Sequence, residues 1–191
     1  MPENRKSQHR LDSRQPLVVD TRELGRRPGS MRQVRFPAPA PEGLGVELIG
    51  VPPGADLDLD LRLESVMEGV LVSGVATVPL TGECGRCLDD LSDTLTVDLQ
   101  ELFAYPESEA GDDDGELARM EGDLLDLEPV LRDAVVLALP LTPLCRQDCG
   151  GLCAECGERL DDLPEDHAHG TPDLRWAALQ SLKSTTDTQE K

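Results

Sequence analysis

Six cysteines and two histidines constrain this chain more than any other feature of its sequence. The cysteines stand at Cys84, Cys87, Cys145, Cys149, Cys153 and Cys156, and not one is alone. Cys84-Gly85-Arg86-Cys87 has the spacing that lets the backbone amides of a tight turn donate to both sulfurs. Cys145, Cys149, Cys153 and Cys156 bring four thiols into twelve residues, and His167 and His169 follow after ten intervening residues. In a reducing compartment, clustered thiols bind metal or carry redox chemistry more often than they form staples. Six cysteines and two histidines supply two tetrahedral zinc sites without remainder.

Three divisions of these donors are open. One makes Cys145, Cys149, Cys153 and Cys156 a self-contained site and leaves Cys84 and Cys87 free. Another joins Cys84 and Cys87 to Cys153 and Cys156. The third gives Cys84, Cys87, Cys145 and Cys149 to a first zinc and Cys153, Cys156, His167 and His169 to a second. It is preferred because no thiol is left over, and four protein ligands close a site, which makes it structural rather than catalytic. The rival chemistry is a thiol–disulfide centre at Cys84 and Cys87. Such pairs belong at a helix N-terminus inside a βαβ unit, whereas this one lies between strand-like segments.

Charge excludes further classes. The chain of 191 residues carries 18 basic and 38 acidic side chains, a net −20, so it cannot coat nucleic acid as a uniformly basic protein does. The charge is segregated, because residues 1–40 hold nine basic and four acidic side chains. An N-terminal arm at 1–14 is therefore expected to be a disordered basic tail able to touch RNA. The longest apolar run, Ala134 to Leu141, has eight residues, too few to span a bilayer, and no apolar segment of signal-peptide type follows the N-terminus. The expectation is a cytoplasmic protein with no membrane partner. Neither a phosphate loop nor a Gly-x-Ser-x-Gly elbow is present, so no enzyme activity and no small-molecule substrate are expected.

The pattern along the chain predicts an α+β fold, a mainly antiparallel, barrel-like β domain with one buried helix and a zinc-knuckle C-terminal region. Asp56 to Leu63 alternates acidic or basic with leucine, the period of a strand with one wet face. Gly69 to Leu80 is a valine-rich second strand, and Leu91, Leu95, Val97, Leu99 and Phe103 share the odd-numbered face of a third. Residues 37–43, with three prolines, read as a stiff connector. Asp126 is placed to cap a helix with Pro129 in its first turn and Val130, Leu131, Ala134, Val135 and Ala138 on one face, ended by Pro140. The expected organisation is a tail at 1–14 and a core domain at 15–144, with an acidic flexible loop at 106–126. A zinc-binding segment at 145–171, a helix at 172–183 and a tail at 184–191 complete it.

Five short motifs carry a family resemblance: Glu83-Cys84-Gly85-Arg86-Cys87-Leu88, Asp126-Leu127-Glu128-Pro129, Leu139 to Cys145, Gly151-Leu152-Cys153-Ala154-Glu155-Cys156-Gly157, and Asp173 to Leu179. In this order they resemble the YceD family, the large ribosomal RNA subunit accumulation proteins. The resemblance implies a cytoplasmic, non-enzymatic bacterial factor that supports accumulation of the large-subunit (23S) rRNA. Its implied partner is a ribosomal protein or assembly factor of the large subunit. Rival functions are a redox protein using Cys84 and Cys87, or an acidic zinc adaptor for a basic protein outside the ribosome. An acidic body with a basic arm poses a choice between direct rRNA contact through the arm and attraction of a basic protein, and the charge sums favour the second.

Overall fold

The computed structural model describes residues 10–108 and 117–169. The chain divides into two compact units, residues 1–147 and 148–191. The first contains β1 (Val18–Asp20), β2 (Met31–Pro39), β3 (Ile49–Gly50), β4 (Asp56–Ser65), β5 (Gly69–Glu83), β6 (Asp90–Ala104), β7 (Leu124–Asp126) and α1 (Glu128–Ala138). The second contains one turn of 3-10 helix, Leu160–Asp162. No helix among the described residues is long and apolar enough to cross a membrane.

β4, β5 and β6 form the centre of an antiparallel sheet, with β2 on the far side of β4 and the short β3 beside the end of β5. The alternation along β4 does what its period requires: Leu57, Leu59, Leu61 and Leu63 are buried while Asp56 and Asp58 face water. Opposite them, Val70, Val72, Ala76 and Val78 of β5 and Val97, Leu99 and Phe103 of β6 supply the same core. Gly74 lets β4 and β5 approach at the middle of the sheet, since a Cβ there would lie 2.2 Å from the carbonyl oxygen of Asp60. A polar pair in this core is satisfied internally: the hydroxyls of Ser65 and Tyr105 meet at 2.9 Å.

Helix α1 packs on β6 and buries Leu131 and Val135. Ala138 is exposed, and Leu139, just past the helix end, takes the buried position expected of it. The N-cap is Leu127 rather than Asp126, with no side-chain cap. Asp126 stands one residue earlier because its backbone pairs with Val18 in the β1–β7 ladder, and its Oδ1 still accepts from the amide of Glu128 at 2.9 Å.

The sheet is open where a barrel-like closure was expected, because among the described residues β2 pairs with β4 alone and β1 with β7 alone. Strand β2 also runs through Pro37 and Pro39, part of the expected connector. An edge strand tolerates proline when the missing N–H would have pointed away from its neighbour. The expected loop at 106–126 holds β7 at its end, and residues 109–116, with the Asp112–Asp114 run, lie outside the described residues. Residues 10–14, expected as tail, include a turn in which the Gln15 amide donates to the Asp12 carbonyl at 2.9 Å. The helix expected at 172–183 and the tail at 184–191 also lie outside the described residues.

Candidate metal centres

Strands β5 and β6 pair to their ends, Glu83 opposite Asp90, so the connection between them has to reverse within six residues. Cys84 and Cys87 occupy that reversal. The amide of Cys84 donates to the carbonyl of Asp89 at 2.7 Å and that of Leu88 to the carbonyl of Cys84 at 2.9 Å. Leu88 adopts φ +61°, the one positive φ at a described residue other than glycine. The segment after α1 is held against this turn by the amide of Gly85, which donates to the carbonyl of Pro143 at 2.8 Å. That bond delivers Cys145, whose Sγ lies 3.6 Å from the Sγ of Cys87. Cys84 and Cys87 are buried and Cys145 is exposed.

The first group is completed by Cys149, four residues on and itself buried. The ligand atoms of Cys84, Cys87, Cys145 and Cys149 all lie within 4.8 Å of one another. Amides of Cys87 and then Cys145 donate to the Cys84 sulfur and lower its thiol from 9.0 to about 6 against the opposing effect of burial. A thiol held in this way is prepared to be a thiolate, the form that binds metal.

Within the 148–191 unit the same turn recurs. The amide of Cys153 donates to the carbonyl of Glu158 at 2.8 Å and that of Gly157 to Cys153 at 2.9 Å, and Gly157 takes φ +74°. A bridge between Leu152 and Arg159 closes the turn. The 3-10 turn after it sends the chain back, and the amide of His167 donates to the carbonyl of Pro164 at 2.9 Å. Cys156 Sγ then lies 3.7 Å from His167 Nε2, and the rings of His167 and His169 meet edge to face at 4.4 Å. Cys153, Cys156, His167 and His169 form the second group, with every ligand atom again within 4.8 Å of the others. The amides of Cys156 and Glu155, followed by the His167 side chain, lower the Cys153 thiol to about 6.

All eight candidate donors thus fall into two sets of four, and each set could hold a metal ion. The supporting carbonyls of Asp89, Pro143 and Glu158 were not apparent from spacing. Their signal was indirect: a residue of positive φ after the second cysteine of each turn, advertised by Gly157 and concealed by Leu88.

Comparison with known proteins places these residues in context. The profile of the family described as "Large ribosomal RNA subunit accumulation protein YceD" matches residues 72–183, a range that contains all eight donors. An uncharacterised protein of Mycobacterium tuberculosis is 46% identical over 169 residues, covering 87% of this chain and 81% of its own length. One of Mycobacterium leprae is 41% identical over 169 residues, covering 87% and 77%. The YlbN protein of Bacillus subtilis is 24% identical over 129 residues, covering 67% and 72%. No solved structure matches this chain.

Proposed function

Because the chain belongs to the YceD family, the large ribosomal RNA subunit accumulation proteins, we propose that it is a non-enzymatic cytoplasmic factor for large-subunit rRNA accumulation, its fold held by two structural zinc ions. The observation that carries this reading is the family match across 72–183, the part of the chain that holds both donor sets.

Zinc suits the donors. Thiolates lie about 2.3 Å from zinc, so sulfurs around a tetrahedral ion stand about 3.8 Å apart. Cys87 and Cys145 at 3.6 Å are close to that spacing. Cys84, Cys87, Cys145 and Cys149 would hold one ion, and Cys153, Cys156, His167 and His169 the other. Bound zinc would neutralise paired thiolates and cross-link distant segments, and four protein ligands would leave no position open for a substrate. Cys84 and Cys87 lead from one strand to another, not into a helix, which favours a metal over a redox role.

The direct partner is read from charge. Asp56, Asp58 and Asp98 are exposed on the outer face of the sheet, and the whole chain carries −20. Such a surface repels phosphate and attracts a basic ribosomal protein or assembly factor of the large subunit. Affinity purification of the full chain from growing cells, with and without nuclease, tests the reading. The expected result is capture of large-subunit precursors and, after nuclease, retention of a basic protein. Normal large-subunit rRNA levels in cells lacking the chain, with no co-purifying ribosomal component, would contradict it.

A further inference from the structure

Three recesses of the 1–147 unit join end to end. A cavity of about 290 Å³ and one of about 280 Å³ share Gln15, Pro16 and Val18. The second in turn shares Asp20 and Arg32 with a third of about 470 Å³. Together they make a groove between β1 and β2, along the line where the sheet fails to close.

Both banks of this groove are strand edges. The amide of Ala40 donates to Ala55 and the carbonyl of Ser30 accepts from Ser65, so the even-numbered residues of the β2 segment turn their backbone toward β4. Met31, Gln33 and Arg35 therefore turn theirs outward. Across the groove, Leu17 and Thr21 bond to the β7 side, which leaves the backbone of Asp20 facing the opening. No backbone bond joins β1 to β2 among the described residues. The floor is apolar at Val34 and Phe36, which are half-buried and pack against the core, and ends at Arg32, whose guanidinium pairs with Glu23 at 2.7 Å.

The far end differs. Pro37 and Pro39 have no outward N–H to give, so strand pairing must stop there. In its place is the 290 Å³ cavity, walled by Pro16, Pro39 and Pro41 and bordered by Asp126 and Glu128. Glu128 pairs with Arg132 at 2.8 Å, and Asp126 uses one oxygen on the Glu128 amide. Apolar walls with carboxylates at the rim suit a hydrocarbon stem that ends in a cation.

We propose that this groove binds an extended segment of a basic partner protein. The segment adds a strand to the outer edge of β2 at Met31–Arg35 and places a lysine or arginine in the proline-walled cavity beside Asp126 and Glu128. The inference rests on the functional reading above and specifies its partner. Strand addition supplies main-chain hydrogen bonds, and the cavity supplies the preference for a cation. RNA is disfavoured because two carboxylates border the cavity and the arginines that line the other recesses, Arg22 and Arg32, are already paired with Asp20 and Glu23. Residues 1–9 of the chain are disfavoured as occupant because they contain no β-branched or aromatic residue to cover Val34 and Phe36.

The test uses the full chain and a fluorescent peptide of nine residues, the length of β2, alternating valine and lysine. Anisotropy should show saturable binding. Gln33→Pro removes an outward N–H without touching the ladder to β4, and should weaken binding about tenfold or more. Asp126→Asn with Glu128→Gln should weaken it by about the same factor. Asp90→Asn with Asp98→Asn, an equal charge change away from the groove, should leave it unaltered. A peptide methylated on alternate amides should not bind. Equal binding by all variants, a loss as large in the Asp90/Asp98 pair, edge-to-edge dimerisation that the peptide does not reverse, or binding of an RNA oligonucleotide in place of the peptide overturns the proposal. Should Gln33→Pro fail to fold, the carboxylate pair and the methylated peptide decide. Peptide binding by a chain that never accompanies large-subunit particles keeps the groove and removes the ribosomal reading. Particles retained by a chain that ignores the peptide do the reverse.

Discussion

The turn at 84–89 and the turn at 153–158 share one backbone. In both, the first cysteine amide reaches five residues ahead and the residue after the second cysteine bonds back to the first. That residue has φ +61° in Leu88 and +74° in Gly157. Their surroundings differ. The first turn ends two long paired strands, and Cys84, Cys87 and Cys149 of its donor set are buried. Among the described residues the unit that holds the second turn contains no strand, and Cys156 and His169 of its donor set are exposed. Cross-link length also differs, 58 residues from Cys87 to Cys145 against 11 from Cys156 to His167. Loop-closure entropy turns that ratio into only about 1.5 kcal/mol. Burial, more than loop length, therefore makes the first centre a part of the core and the second a local clasp.

The largest expected effect breaks this contrast directly. Cys84→Ser should lower zinc from two per chain toward one and destabilise the 1–147 unit by about 4 kcal/mol or more, read as a fall in melting temperature. Leu131→Ala should cost roughly 2–5 kcal/mol with zinc content unchanged, which separates core packing from metal; a loss below about 0.5 kcal/mol would mean the helix face is misassigned. His167→Ala should also release one zinc but with a smaller change in melting, and hydrogen exchange should rise only around Asp161–His169. A paired exchange isolates the turn geometry: Leu88→Gly should be neutral or stabilising by up to about 1 kcal/mol, and Gly157→Leu destabilising by a similar amount. The smallest effect is in pH. With both thiols lowered from 9.0 to about 6, the chain freed of metal should gain stability as pH rises between those values and lose it as pH falls through about 6. Denaturant melts of chelated protein at several pH values would show that slope or its absence.

Local patterning accounts for what could be read in advance. The strict alternation of Asp56–Leu63 and the odd-numbered apolar set ending at Phe103 placed β4 and β6, and the spacing of Leu131 and Val135 placed α1. β2 was hidden because Pro37 and Pro39 signal a connector, and only an edge position reconciles them with a strand. β7 lay within an acidic stretch and owes its conformation to pairing with β1, a partner about a hundred residues away, with Val19 opposite Leu125. Donor identities were legible because thiols are rare and clustered. The preferred division into two sets came from counting donors, whereas the Gly85–Pro143 bond that brings Cys145 to the first turn is a tertiary contact that no local spacing encodes. Leu88 was opaque for a similar reason, since a leucine does not announce a left-handed backbone.

Native mass spectrometry of the full chain, purified without chelator under reducing conditions, measures the central claim most directly. Two zinc ions per chain are predicted, falling to one in either Cys84→Ser or His167→Ala and to none in the double variant. A chain that carries no zinc yet melts at the same temperature before and after chelator treatment would contradict the account.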